Sequence, residues 1–178
     1  MSQVLDNFMQ GMAAAAHLLN RAIDRQSALE SIVLQANLID GSLRIALILK
    51  AQLDSRSDAI DDSLLQQQDS DPKMPERAIY KRCLQAGIID KPLFDELSAA
   101  YNKRNKCIHR YLLCDIDYDY ATELVFELAG IRDRVNTIVE QLENQQIELG
   151  VGMTRTGPQV SKEFLKDYAA EKEKRYNL

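Results

Sequence analysis

Apolar side chains return at three- and four-residue steps through most of this chain, the period of an amphipathic helix rather than of a strand. From Val4 to Arg25 the series is Val4, Leu5, Phe8, Met9, Met12, Ala15, Ala16 and Leu19. Ser27 followed by Glu30 predicts an N-cap and the start of a longer helix reaching about Leu53. Its stripe runs through Ile32, Val33, Ala36, Ile39, Leu43, Ala46, Leu47 and Ala51, with Gly41 as a point of close packing or slight kinking. From Asp54 to Glu76 the periodicity lapses into Ser, Asp and Gln, punctuated by Pro72 and Pro75; this predicts a mobile loop carrying a short helix around Leu64 and Leu65. Glu76 to Gln85 reads as a short helix closed by Gly87. Asp90 is predicted to cap the next helix, with Pro92 in its first turn and Leu93, Phe94, Leu97, Ala100 and Tyr101 on its apolar side. An acidic connector, Asp115 to Asp119, leads to a last long helix from Tyr120 to about Leu149, with Leu124, Leu128, Ile131, Val135, Ile138, Val139 and Leu142 on one face. Gly150 to Pro158 reads as a linker, and Val160, Phe164, Leu165 and Tyr168 predict a short amphipathic tail helix.

These elements predict an all-α fold: an antiparallel four- to five-helix bundle over residues 1–149, with residues 54–76 as a loop, and an appendage of linker and tail helix over residues 150–178. Composition agrees. Seven glycines and four prolines are too few for a turn-rich sheet, and 46% hydrophobic residues suffice for a core. The net charge of −5 disfavours binding of nucleic acid by the whole surface, so such contact needs a local basic patch. No unbroken apolar run approaches the ~20 residues of a bilayer span, and Met1 to Gln10 lacks the pattern of a signal peptide. Cys83, Cys107 and Cys114 are odd in number and without CxxC spacing, which predicts reduced thiols in a cytoplasmic protein; no metal site and no cofactor are expected.

The local basic patch exists. Arg104-Asn105-Lys106-Cys107-Ile108-His109-Arg110-Tyr111 holds four basic residues and no acid. Lys103, Lys106 and Arg110 are candidates for attracting RNA as a solvated face. The planar guanidinium of Arg104 can grip two phosphate oxygens. An imidazole titrates near neutral pH, so His109 can take a proton from a ribose 2′-hydroxyl or give one to a leaving oxygen. Tyr111 can stack on a base, donate a hydrogen bond or pack at the helix end. An arginine facing phosphorus beside a proton-moving histidine is enough for RNA cleavage without metal. Helical phase sets a condition. Asn105 and His109 share a face, whereas Arg104 and His109 lie roughly 140° apart on a straight helix. They converge if the helix ends near Arg110 or if a second subunit completes the pocket, which favours a homodimer with a composite cleft.

The stretch RNKCIHRY resembles the signature of the HEPN superfamily: an arginine, often followed by asparagine, then four to six residues and a histidine. The trailing His109-x-Tyr111 is similar to HEPN toxins of two-gene modules whose partner is a nucleotidyltransferase antitoxin. Leu93-Phe94-Asp95-Glu96-Leu97 ahead of the motif, Leu112 after it and Asp117-Tyr118 opening the next helix agree. The resemblance implies a helical bundle, dimerisation through the motif face and metal-independent endoribonuclease activity, in a toxin or defence effector. It implies that Arg104 and His109 are catalytic, that Asn105 orients them, and that Tyr111 accepts AMP from the antitoxin. It extends in layout from Ala28 to Leu142. The Asp54–Glu76 loop and the tail after Gly150 depart from compact family members, which leaves substrate choice and partner open. The alternatives are a non-catalytic module of the same shape that holds a nucleotide or a protein, and a purely structural helical dimer in which the motif is accidental.

Other candidates read more plainly. Cys107 and Ile108 are expected in the core, and His17 is expected as a packed or partly exposed helix residue. Asp40 and Arg44, four apart, suit an ion pair, with a polar contribution to the cleft as the sharper reading. Gly150-Val151-Gly152 follows no strand, so it is a linker rather than a phosphate loop. Asp115, Asp117 and Asp119 lack the glycine and distal glutamate of a calcium loop.

Overall fold

The computed structural model describes residues 3–67 and 74–156. Among these residues the chain is all helical: α1 (Gln3–Asp24), α2 (Ala28–Ser55), α3 (Glu76–Gln85), α4 (Lys91–His109) and α5 (Tyr118–Leu149), with a single 3-10 turn at Asp62–Leu64 whose Leu64 is buried. The architecture is an all-α helical bundle, as the periodicity predicts. The expected tail helix around Val160 to Tyr168 lies outside the described residues.

α2 is the centre. Ile32, Ile39, Leu43, Ala46, Ile48 and Leu49 are all buried, and so are Ser31, Gln35, Ser42 and Gln52. The buried arc is therefore far wider than one stripe. Val33 and Ala51, both assigned to that stripe, are exposed. The reason is that α1, α3, α4 and α5 all pack on α2. By length and composition alone α2 could cross a bilayer. A helix apolar on most sides is also what a central core helix requires, and here most of its apolar residues are covered by the other helices. Each fully buried Leu or Ile contributes about 1.5–3 kcal/mol.

Polar rungs fix the helix directions. Gln35 Nε2 donates to Val125 O at 2.9 Å, Ser42 Oγ to Asn136 Oδ1 at 3.1 Å and Gln146 Nε2 to Leu49 O at 3.1 Å. The numbers rise together, so α2 and α5 run side by side in the same direction. Across α4 and α5 they run oppositely, through Glu96 with Arg134 and Lys103 with Glu127. α1 doubles back antiparallel to α2 and crosses it at Gly41, where a Cβ would overlap the Met12 side chain. Close packing is thus the role of that glycine.

Caps account for the helix ends. The Asp90 carboxylate accepts from Leu93 N at 2.9 Å, and Asp117 accepts from Tyr120 N at 2.8 Å. The acidic connector therefore supplies a cap, and α5 begins at Tyr118 rather than Tyr120. Ser27 stands at the N-cap of α2, yet its hydroxyl makes no capping bond; the chain reverses there through Gln26 in the left-handed region at φ 56. Gly87 and Gly150 follow α3 and α5 with φ 67 and 64.

The segment after α5 is docked, in contrast to the linker expected. Gln52 and Gln146 are fully buried and bonded to each other at 2.9 Å. Met153 N donates to Gln52 Oε1 at 3.1 Å, and Thr154 donates to Gln146 Oε1 through its amide and its hydroxyl. Arg155 pairs with Asp58.

Candidate functional site

The basic stretch forms the last turns of α4, which closes at His109 with Arg110 N bonded to Lys106 O at 2.9 Å. Cys107 points inward and is buried, as expected. Burial pushes its thiol above the ordinary value. Ile108, expected in the core, is 36% exposed. The phase explains both: about 100° beyond an inward cysteine is already the surface, and about 200° is the outer face, where His109 is exposed.

Arg104 takes the opposite course. Its guanidinium turns into the bundle, where Nη2 meets Glu76 Oε2 at 2.5 Å, with the two side chains 16% and 17% exposed. It also lies over the Tyr101 ring, 4.9 Å from the centroid. Arg104 Nε is buried with no hydrogen-bond partner among the described residues. Glu76 is the first residue of α3 and also accepts from Tyr80 OH at 3.3 Å. Burial lifts the Glu76 carboxyl above its ordinary range; Arg104 opposes that and nearby Asp40 adds to it. The Tyr80 phenol is pushed up too, by burial and then by Glu76 and Asp40.

Asp40 and Arg44 complete the cluster. Arg44 Nε donates to Asp40 Oδ2 at 2.7 Å, Nη1 to Leu64 O at 2.9 Å and Nη2 to Met74 O at 3.1 Å. The i, i+4 pair is thus structural: it fastens both described ends of the 54–76 segment to α2. Burial raises the Asp40 carboxyl, against the pull of Arg44 and Arg104. Two carboxylates and two guanidiniums are therefore gathered in one half-buried group around the start of α3.

The remaining signature residues face outward. Lys106 and Arg110 are exposed, Asn105 is half-buried and Tyr111 is 38% exposed. Lys103 pairs with Glu127 at 2.5 Å, which raises its ammonium further and engages much of its charge. Just past the motif, Leu112 and Leu113 are 93% and 83% exposed. Among the described residues, Arg104 and His109 share no hydrogen-bond or ion-pair partner: Arg104 is paired with Glu76 and largely buried, whereas His109 is exposed.

Two cavities border α4. One, of about 10 Å³, lies between Glu76, Tyr80, Tyr101 and Arg104 and is far too small for a nucleotide. The other, an open cleft of about 470 Å³, lies at the N-terminal end of α4, lined by Ile88, Ile89, Leu93, Arg134 and Ile138. No signature residue lines that cleft. The described residues hold no cluster of metal-ligating side chains, and Cys83, Cys107 and Cys114 are free thiols.

The chain matches no family model, no curated protein and no solved structure. Glu76, Tyr80 and Tyr101 are the members that periodicity did not single out for chemistry. Glu76 was legible only as a helix start, because its contact with Arg104 spans 28 positions and leaves no mark in local sequence.

Proposed function

We propose that the chain is a HEPN-type, metal-independent endoribonuclease that acts as a homodimer, in the role of a toxin or defence effector. The observation that carries this reading is the exposed His109 at the tip of α4, flanked by exposed Lys106 and Arg110 on an otherwise acidic protein. An imidazole there is free to meet a ribose, and the two cations beside it draw the phosphate backbone. His109 removes the 2′-hydroxyl proton, the 2′-oxygen attacks phosphorus, and the bond to the 5′-oxygen breaks. The products are a 2′,3′-cyclic phosphate and a 5′-hydroxyl, whose proton comes from an imidazolium. Arg104 holds the phosphate oxygens and Asn105 orients the pair. Exposed Tyr111, Leu112 and Leu113 directly after the motif support coverage of this end by a second copy, which would bring in a second Arg104 and His109. Tyr111 is accessible as an AMP acceptor for a nucleotidyltransferase partner, or as a platform for a base.

The test is incubation of the purified protein with RNA in EDTA, with the mass in solution measured alongside. Wild type is expected to cleave as a dimer. His109→Ala, at an exposed position, is expected to lose at least about 100-fold in rate with stability changed by less than about 0.5 kcal/mol. Cleavage that persists in an Arg104→Ala, His109→Ala double variant rejects the assignment. A second reading, a nucleotide- or protein-holding module without catalysis, is favoured by one observation: the Arg104 charge is already taken by Glu76. Ligand-induced thermal stabilisation with no cleavage would select it in the same experiment.

A further inference from the structure

We infer that Glu76 is a latch on Arg104: its carboxylate occupies the guanidinium edge that a phosphate oxygen would take, and RNA engages Arg104 only by exchanging with Glu76. The inference rests on the ribonuclease reading for its ligand and on the ion pair for its geometry.

The edge available for an anion is defined by what surrounds the guanidinium. Tyr101 covers one face, and Nε is buried. Contact with an anion is left to the Nη side, where Glu76 Oε2 sits 2.5 Å from Nη2. A phosphate oxygen brought there stands beside a carboxylate, and like charges at that range repel. Arg104 thus has its charge cancelled until Glu76 withdraws.

Withdrawal is compatible with the fold. Glu76 is the first residue of α3, where the first turn lacks intrahelical partners for its amides, whereas Ile79 and Cys83 anchor the rest of α3 in the core. The carboxylate keeps the Tyr80 hydroxyl as a partner after Arg104 leaves. The groups facing it are Asp40 from α2, itself paired with Arg44, Tyr101 and Arg104 from α4, and Tyr80 from its own helix. Loss of one guanidinium from that balanced set leaves an excess negative charge. The raised Glu76 carboxyl can answer that excess by taking up a proton. Glu76 therefore acts through Arg104 as a positioning residue and touches no reacting atom.

The experiment uses Glu76→Gln, which keeps the shape and the acceptor oxygen, and Glu76→Asp, which keeps the charge on a shorter stem. Both are made in a His109→Ala background so that RNA stays intact, and thermal melts confirm folding. Two quantities are read: the rate at which phenylglyoxal modifies Arg104, mapped by mass spectrometry, and the affinity for a single-stranded RNA 12-mer as a function of salt. Glu76→Gln is expected to speed modification of Arg104 several-fold, to bind RNA about tenfold tighter, and to steepen the plot of log K against log salt by about 0.7, the value of one more phosphate contact. Glu76→Asp is expected to stay close to the parent. Unchanged modification, or weaker RNA binding with a shallower slope in Glu76→Gln, overturns the latch and makes Glu76 an orienting support. Faster modification with no RNA bound by any form upholds the shielding of Arg104 and sinks the ribonuclease reading instead.

Discussion

Five positions separate Arg104 from His109, and on a helix that is enough to set one against the interior and the other in solvent. Charge, proton-transfer capacity and spacing were legible in the sequence because they are properties of residue types and of helical phase. The partner of Arg104 was not, because Glu76 arrives from another helix. This contact affects how mutations should be judged. Arg104→Ala leaves Glu76 half-buried beside Asp40 with its main cation gone, so a loss of about 3 kcal/mol in stability is expected. Adding Glu76→Gln to that variant should restore a substantial part of it, since the stranded charge is then removed. Urea unfolding of the two single variants and the double variant measures the coupling. Additive losses would mean that the pair is not coupled. Lost activity in Arg104→Ala is therefore informative only at a temperature where the variant is folded, whereas His109→Ala carries no such complication.

At the scale of elements, helix boundaries followed local chemistry. Asp90, Pro92 and Gly87 act where their residue types predict, through a side-chain cap, a first-turn proline and a left-handed glycine. Ser27 shows the limit of such signals: the position is right, but the hydroxyl is not used. The stripe read along α2 captured one face of a helix that is enclosed by four others, because periodicity reports a contrast between faces and α2 has little. After α5, the residues read as a linker instead fold back onto buried Gln52 and Gln146. Gly152 permits this. It sits at φ 78, and a Cβ there would overlap the Gln146 carboxamide. Gly152→Ala is expected to cost about 2 kcal/mol from backbone strain and displaced hydrogen bonds. Hydrogen exchange should show the loss concentrated at Met153 and Thr154, and protection there equal to wild type would refute the role given to Gly152 in docking this segment.

At the scale of the molecule, α3 packs on α2 and α4, and α4 packs on α2 and α5, which places the start of α3 beside the C-terminal part of α4. That placement buries acids. Asp40 and Glu76 both hold protons more tightly when folded than at their ordinary values of 3.8 and 4.5. A raised acid favours the folded state at low pH, and that advantage is lost as pH rises from the unfolded value through the folded one. The midpoint of thermal unfolding is therefore expected to fall as pH rises above 4.5 through the raised folded values. Net charge works in the same direction, since it approaches zero near the pI of about 5.1. Glu76→Gln separates the two causes: it should flatten the dependence, and a slope equal to wild type would show that Glu76 does not contribute.

Period, caps and composition determined by themselves that this chain is helical, where its helices begin and end to within about two residues, and which short stretch gathers cations around a histidine, because each depends on contacts within a few residues. Tertiary structure alone decided that Arg104 faces a carboxylate while His109 faces water, that α2 lies at the centre, and that the glycine at 152 admits a close neighbour. Those outcomes depend on which distant surfaces meet, and a guanidinium is neutralised or available according to the group packed against it.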